Sequence, residues 1–487
     1  MRMRVLAARK GKAVMAVSAL VILAGCSQVP DYKPETGPLP GGWNNPGVSP
    51  LAAAVTETAI VAPEDRWWET FGSSELNRLV EQALAEGNTL KAAVARIRQA
   101  QAQLGTAEAP EWPNLSVSGG ETAAKRASSA RSSASGDSAR SYSLGLSASY
   151  EVDFWGKRAA SILAAENALQ AARLDRETVG WTLSSSVANA YFQVLAVRDR
   201  LTAARRNLDL SRQTLRLTEQ QVQFGEASGL ETAQQRSAVA QIQTQIAALE
   251  LQHAQALNAL AALVGKSAGE ITVQAPGLSG VVLPPVKPGL PSEILRRRPD
   301  LRAAEARLVA ANADIGAARA RYYPSLNLTA ERGFASAALS SLLTPASAIW
   351  SIGGSLAAPL FDNGAIDSAV EQASARREEL AATYRQSVID ALRDTEDALA
   401  ANRWLTEQED RQGEVVTASR EARRLADIRY RGGAVAYMTV LDAERTLLQA
   451  EDSSIQVRLS RLNAAVNLNR AVGGSLSLPA VEAAAKP

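Results

Sequence analysis

Residues 187–222, written seven to a row, read VANAYFQ, VLAVRDR, LTAARRN, LDLSRQT, LRLTEQQ and V. Val187, Val194, Leu201, Leu208, Leu215 and Val222 head the rows, and Ala190, Val197, Ala204, Ser211 and Thr218 follow three places later. Two such positions in every seven make a coiled-coil seam, here with large and small layers. No proline occurs between Lys157 and Phe224, so nothing in that span forces a break. Upstream, Ile162, Leu169 and Leu183 keep the same rhythm and reach Val187 by a four-residue step, a stutter that locally changes supercoiling. At 1.5 Å per residue the predicted helix is roughly 100 Å long, more than a compact globular domain needs. Gly225 to Gly229 then turn the chain into a second helix, where Ile242, Leu249, Ala256 and Leu263 repeat by seven.

The whole pattern occurs twice. Leu90, Ala92, Ala93 and Arg96 match Leu301, Ala303, Ala304 and Arg307, and Pro113 and Leu115 match Pro324 and Leu326, at an offset of 211. The offset then falls to 208, where Gly156 matches Gly364, Ala190 matches Ala398, and Val264-Gly265 match Val472-Gly473. Each copy runs helix, two short strands, two long helices. The second turns at Gly432 and Gly433 into a helix carrying Leu441, Leu448, Ile455 and Leu462.

From Ser141 to Val152 alternation is complete: Tyr142, Leu144, Leu146, Ala148, Tyr150 and Val152 share one face, and serines, Gly145 and Glu151 the other. That is a two-faced strand long enough to cross a membrane. Leu115 and Val117 begin its partner; Leu326, Leu328 and Ala330, then Trp350, Ile352, Leu356 and Leu360, form the weaker pair of the second copy. A sheet on a soluble core would alternate too. The aromatic residues favour lipid: Trp112, Tyr150, Phe154, Trp155, Tyr322, Tyr323 and Phe361 fall where the hairpins enter or leave, and Tyr142 and Trp350 mark the opposite end. Four strands cannot close a barrel, and open edges are not tolerated in lipid, so several chains must share one. Three copies would supply twelve strands, the preferred count, though geometry alone leaves it open. Residues Glu121 to Arg140 and Gly333 to Ala348, rich in Ser and Ala, read as exposed loops.

Composition narrows the function. Of 487 residues, 46% are apolar and 21% charged, with 52 Lys and Arg against 50 Asp and Glu, for a net charge of +2. Such a balance provides no basic field for phosphate, so nucleic acid is not an expected partner. One Cys and one His leave no intramolecular disulfide, thiolate cluster or multi-histidine metal site. His253 sits inside a helical repeat with no nucleophile elbow near it. Gly265-Lys266-Ser267 imitates the end of a phosphate loop, but the required first glycine is Leu260. Enzyme chemistry, catalytic residues and bound metal are therefore not expected.

Arg2, Arg4, Arg9, Lys10 and Lys12 precede an apolar run from Ala13 to Leu23, the charged and hydrophobic parts of a secretory signal, too short to cross a bilayer as a helix. It ends Leu23-Ala24-Gly25-Cys26, which resembles a bacterial lipobox and implies lipidation at Cys26. Ser27 after it implies sorting to the outer membrane.

Further stretches carry a wider resemblance: Trp67-Trp68 with Phe71 and Leu76; Tyr150 to Gly156 (YEVDFWG); Ala190-Tyr191-Phe192; Arg297-Arg298-Pro299-Asp300-Leu301; Tyr323-Pro324-Ser325-Leu326; and Pro359 to Gly364 (PLFDNG). Together they resemble the outer membrane efflux proteins, the TolC-like trimeric channel-tunnels, and most of all their lipoprotein branch. The resemblance covers nearly the whole mature chain. Locally, Trp67 and Trp68 read as packing anchors, Pro299 and Asp300 as a helix first turn, and Arg296 to Arg298 as a solvated turn.

The resemblance implies a mainly α fold with a small β part: a trimer with a 12-stranded outer-membrane barrel, four strands per chain, continued by a coiled-coil helical barrel in the periplasm. It implies a passive exit duct without cofactors, partnered by a periplasmic membrane-fusion adaptor and an inner-membrane pump, carrying drugs or other toxic small molecules, or alternatively metal cations. Matching the family's hairpin tips are Phe224, Gly225 and Gly229, and Tyr430, Arg431, Gly432 and Gly433, expected to meet the adaptor. Matching its gate are Met438, Asp442 and Arg445, whose spacing lets them share one helix face; an ordinary surface pair is the plainer reading. A threefold carboxylate ring would restrict anions, and Met438 would add an apolar constriction. A periplasmic adaptor lipoprotein is the alternative function, but it would carry one hairpin beside a split β domain, whereas this chain carries two hairpins and two strand pairs. The expected divisions are a signal peptide (1–25), a lipidated segment with equatorial residues (26–72), helix (73–113), β-hairpin (114–152) and helical hairpin (153–265) of the first copy, and an equatorial linker (266–299). The second copy follows as helix (300–323), β-hairpin (324–360) and helical hairpin (361–473), then a C-terminal equatorial segment (474–487).

Overall fold

The computed structural model describes residues 28–33, 40–44, 66–125, 138–225, 228–284 and 291–473. The signal segment, Cys26 and the residues after 473 lie outside these. A 3-10 turn, Trp67–Phe71, leads into α1 (Ser74–Glu86) and α2 (Asn88–Glu108), then β1 (Asn114–Lys125), β2 (Ser138–Val152), α3 (Lys157–Gln223) and α4 (Gly229–Val264). The second half holds α5 (Pro291–Arg297), α6 (Pro299–Arg319), β3 (Ser325–Ser336), β4 (Ala348–Ala357), α7 (Ala365–Arg431) and α8 (Tyr437–Val472).

The duplication is visible in element lengths. Helices α3 and α7 have 67 residues each, α4 and α8 have 36 each, and α2 and α6 have 21 each. Among the described residues the first helices differ, 13 residues in α1 against 7 in α5, as do the second strands, 15 in β2 against 10 in β4, and the shortening of the second copy falls between β3 and α7. Punctuation repeats too. Gly156 and Gly364, Gly225 and Gly433, and Gly265 and Gly473 all have positive φ, which closes a helix end or opens the next without the penalty a Cβ brings.

The residues group into two compact units. One contains Ile97–Ala172, Ala304–Tyr384 and the N-terminal residues up to Glu35. Its strands form one antiparallel sheet in the order β1-β2-β3-β4. A single row runs Val117, Leu146, Arg332, Trp350, which sets the faces of all four strands. Pairing of β1 with β2 continues through Glu121 and Tyr142 to Lys125 and Ser138. The loop expected from Glu121 to Arg140 is thus shorter, as is the one from Gly333, because ladder hydrogen bonds continue where side-chain alternation fades. The apolar face covers no core: Leu115, Val117, Ile352 and Leu356 are 66–78% exposed, and every residue of β4 is exposed. Residues 28–33 run against α6, where Asn312 Nδ2 donates to the Pro30 carbonyl at 2.6 Å. Gly316 leaves the space that Val29 fills; a Cβ there would stand 2.6 Å from its Cγ2.

The second unit contains Thr36–Arg96, Arg173–Ala303 and Arg385–Pro487. Its largest core gathers Trp67, Trp68 and Phe71 against Leu76, Val80, Tyr191, Phe192, Leu260 and Val264. The two tryptophans meet edge-on at 5.9 Å, the packing role expected of them. The following linker is latched by half-buried polar groups. Glu75 accepts the Gln274 and Ala275 amides at 2.7 and 3.1 Å, and Arg198 donates to the Val273 carbonyl at 2.6 Å. Asp199 accepts the Leu278 amide at 2.9 Å and fills the place where a side chain at position 277 would stand, so Gly277 has no room for one. Burial pushes the Asp199 carboxyl up, while the Leu278 amide pulls it back.

The solvated-turn reading of Arg296 to Arg298 is corrected at Arg298. Its side chain is only 13% exposed, makes a two-pronged pair with Asp300 at 2.7 and 3.1 Å, and lies 3.7 Å from Asp394 on α7. It also abuts Gly473, the residue that ends α8. The cation thus joins the start of α6 to α7 and the end of α8, which a lone reading of three arginines could not reveal.

Candidate functional site

Two regions carry the features expected of a conduit: the sheet, and the paired helical hairpin ends. In the sheet, register sorts side chains by chemistry. Leu115, Val117, Leu144, Leu146, Leu328, Ile352 and Leu356 share one face. The opposite face presents Asn114, Ser116, Ser147, Asn327, Glu331 and Ser351, with Ser116 and Ser147 hydroxyls 2.7 Å apart. A single layer, apolar on one side and polar on the other with both sides bare, suits a wall between lipid and water. At the helix end of the sheet Trp155 stacks on Tyr323 at 4.7 Å and donates its indole N–H to the Pro324 carbonyl at 2.7 Å. One aromatic residue from each copy is thereby joined at this end of the sheet. Asp153 caps α3 by accepting the Arg158 and Ala159 amides, both at 3.0 Å, and Asp362 caps α7 through Gly364 and Ile366.

In the hairpin ends, α7 closes with paired backbone bonds: Gly433 N–H donates to the Tyr430 carbonyl at 2.9 Å, and Ala434 N–H to Arg429 at 2.8 Å. In the first copy Gly225 N–H donates to Val222 at 3.1 Å. Phe224 is 80% exposed, and Gly225, Gly229 and Gly433 face open space. Arg431 is exposed and pairs with Asp427 one turn back at 3.1 Å. Tyr430 differs from these: it is half-buried, its hydroxyl donates to Gln221 on α3 at 3.3 Å, and its ring lies 5.2 Å from Tyr437. It braces the tip from within.

The structure brings Met438, Asp442 and Arg445 onto one exposed face of α8, with Arg445 Nη1 3.9 Å from Asp442 Oδ1. The opposite face is buried and holds groups that sequence reasoning missed. Tyr437 is 2% exposed and its hydroxyl donates to Gln235 Oε1 on α4. Gln235, fully buried, donates onward from Nε2 to the Ser211 carbonyl and Oγ on α3 at 2.7 and 2.9 Å. Burial pushes the Tyr437 phenol up, with the Glu444 charge adding to it. Glu444 is 7% exposed, and its Oε1 has no hydrogen-bond partner among the described residues. Burial raises its carboxyl, Arg423 opposes that rise and Asp427 adds to it. Beside it a cleft of about 330 Å³ is lined by Gln241, Gln245, Leu448 and Gln449 among others. One heptad step back from Ile242 falls on Gln235, so a polar residue on the seam was the available signal. Lower down, Arg200 on α3 grips Asp452 on α8 at 2.6 and 3.3 Å, and Arg458 on α8 reaches Glu409 on α7 at 3.2 Å. The paired hairpins are thus joined by polar clamps along their length as well as by the cluster of Ala238, Ala426, Val440 and Leu441.

The sequence model of the outer membrane efflux protein family matches residues 79–266 and 290–474, the two repeats. The chain belongs to the outer membrane efflux protein family. This efflux protein is 39% identical over 463 residues to the pyoverdine export outer membrane protein OpmQ of Pseudomonas aeruginosa, covering 94% of this chain and 96% of that one. It is 32% identical over 464 residues to the toluene efflux pump outer membrane protein TtgC of Pseudomonas putida, covering 94% of each. A crystal structure of a membrane protein from Pseudomonas aeruginosa matches it with a TM-score of 0.85 at 30% identity, over 92% of this chain and 100% of that one. The bare two-faced sheet and the duplicated long hairpins of this efflux protein are therefore features of an outer-membrane channel-tunnel.

Proposed function

We propose that three copies share one twelve-stranded barrel and that the assembly is the passive exit duct of a tripartite efflux system, fed by an inner-membrane pump through a periplasmic membrane-fusion adaptor. The observation that carries this is the four-stranded sheet with two unpaired edges, β1 and β4, and no core on its apolar face. Lipid does not tolerate such edges, and closure with copies of itself removes them. Cys26 carries the lipid anchor. Phe224, Gly225, Gly229, Arg431, Gly432 and Gly433 form the surface that meets the adaptor, supported by Tyr430. Met438, Asp442 and Arg445 narrow the periplasmic end: three copies of Asp442 repel anions, and the exposure of all three residues in the single chain leaves them free to face a central axis. The duct is generic and the pump selects. Relatives named for pyoverdine export and for toluene efflux align over nearly the whole chain, so cargoes of unlike chemistry are served by one architecture. Drugs and other toxic small molecules are the proposed cargo, with metal cations as the alternative. Light scattering on the detergent-solubilised protein, corrected for bound detergent, tests the assembly. A mass of about 150 kDa is expected from chains of 51.5 kDa, and a stable monomer would overturn it.

A further inference from the structure

One charged side chain stands among the apolar rows of the sheet's apolar face, whereas Glu121 and Arg140 on that face lie beyond them toward the loops. Arg332 stands in the row between Leu146 and Trp350, with Leu144 and Ile352 on the diagonals, on the face that meets lipid. It is exposed, and among the described residues no carboxylate pairs with it. Its sequence neighbour Glu331 cannot, because successive strand residues point to opposite faces and Glu331 lies on the polar side. Glu121, the nearest acid on the same face, is two strands away and accepts from the Tyr142 hydroxyl at 3.3 Å.

Its depth indicates where the missing anion lies. Strand β3 runs from the helix end at Ser325 to the loop end at Ser336, so Arg332 is nearer the loops. One apolar row, Leu144, Phe334 and Ala348, separates it from the polar row of Glu121, Tyr142 and Ser336. Rows on one face are roughly 7 Å apart, a distance a snorkelling arginine spans. Trp350, 77% exposed beside it, is a side chain suited to the lipid interface. The strands lead into α3 and α7 at the opposite end, so in the proposed barrel the loop end of the sheet meets the outer leaflet.

We propose that Arg332, flanked by Trp350, binds the phosphate of an anionic lipid in the outer leaflet. The planar fork of the guanidinium matches two phosphate oxygens, and the surrounding acyl chains keep water and salt from screening the pair. Assembly into a closed barrel would place one such site on each chain. The inference rests on the barrel reading, so the test separates the two.

The full chain is reconstituted in phosphatidylcholine nanodiscs doped with a diphosphorylated acylated glucosamine disaccharide or with its dephosphorylated form, and lipid retention is counted by native mass spectrometry. Wild type is expected to retain the phosphorylated lipid preferentially, Arg332→Gln to lose that preference by about tenfold, and Arg332→Lys, which keeps the charge without the fork, to fall between the two. Equal retention by wild type and Arg332→Gln, or equal retention of both lipids by wild type, overturns the proposal. Full competition by inorganic phosphate would make this a free-anion site and overturn the lipid assignment. A chain that never enters nanodiscs overturns the barrel reading and this inference with it, whereas one that enters and ignores the phosphate overturns this inference alone.

Discussion

Replacing Tyr437 by Phe removes one hydroxyl from the centre of the helical hairpin ends and leaves shape unchanged. The loss strands Gln235 Oε1, whose residue is fully buried and whose Nε2 is already committed to Ser211 at 2.7 and 2.9 Å. No described side chain replaces the donor there, and leaving a buried acceptor unsatisfied costs about 1–3 kcal/mol. The bond joins α8, which bears Met438 and Asp442, to α4 of the other hairpin. If opening parts those helices, the closed state loses that energy and the open one does not. At 1.4 kcal/mol per tenfold, the closed-to-open ratio falls by about fivefold to 150-fold. Planar-bilayer recordings of the reconstituted protein read this as increased open probability, and thermal melting in detergent reads the stability loss separately. A lowered melting temperature with open probability unchanged would show that the contact holds the fold and takes no part in closing. No change in either would refute the burial argument itself.

Asp442→Ala, which removes the proposed carboxylate ring, should raise resting leak; unchanged single-channel conductance together with unchanged vancomycin sensitivity would count against the gate. Glu444→Gln tests the buried carboxyl. Its folded value lies above the unfolded 4.5, so its contribution is fully present below that pH and is lost as pH rises through the folded value. The Gln variant should therefore melt higher than wild type near neutral pH and about equally in acid, and parallel melting curves across that range would refute it. Gly105 and Gly316 occupy matching places in α2 and α6, yet only Gly316 has a neighbour, Val29, where a Cβ would go. Gly105→Ala should stabilise by about 0.5–1 kcal/mol, whereas Gly316→Ala should lower stability and speed proteolysis of residues 28–33; equal effects of the two would sink the comparison.

Helices α3 and α4 were legible because a coiled-coil seam is a local repeat: Val187, Val194, Leu201 and Leu208 are all buried, as their spacing demands. The tip turns were legible as well, since glycine at positive φ leaves a mark in the sequence at Gly225 and Gly433. Strand ends were not, because beyond Gly119 the ladder continues through Thr122 and Ala123, whose side chains carry no alternation. Arg298 was misjudged for a related reason. Its partners Asp394 and Gly473 lie far along the chain, and nothing near residue 298 announces them.

Periodicity and duplication, being properties of neighbouring residues, determined from sequence alone that this chain folds as two copies of a strand pair and a long helical hairpin, with one face of each strand meant for lipid. Side-chain partners across elements depend on which helix and which strand come to lie together. The Ser211, Gln235 and Tyr437 chain, the burial of Glu444 and the isolation of Arg332 between Leu146 and Trp350 were therefore decided only by the tertiary structure, where register and packing choose neighbours from other helices and strands.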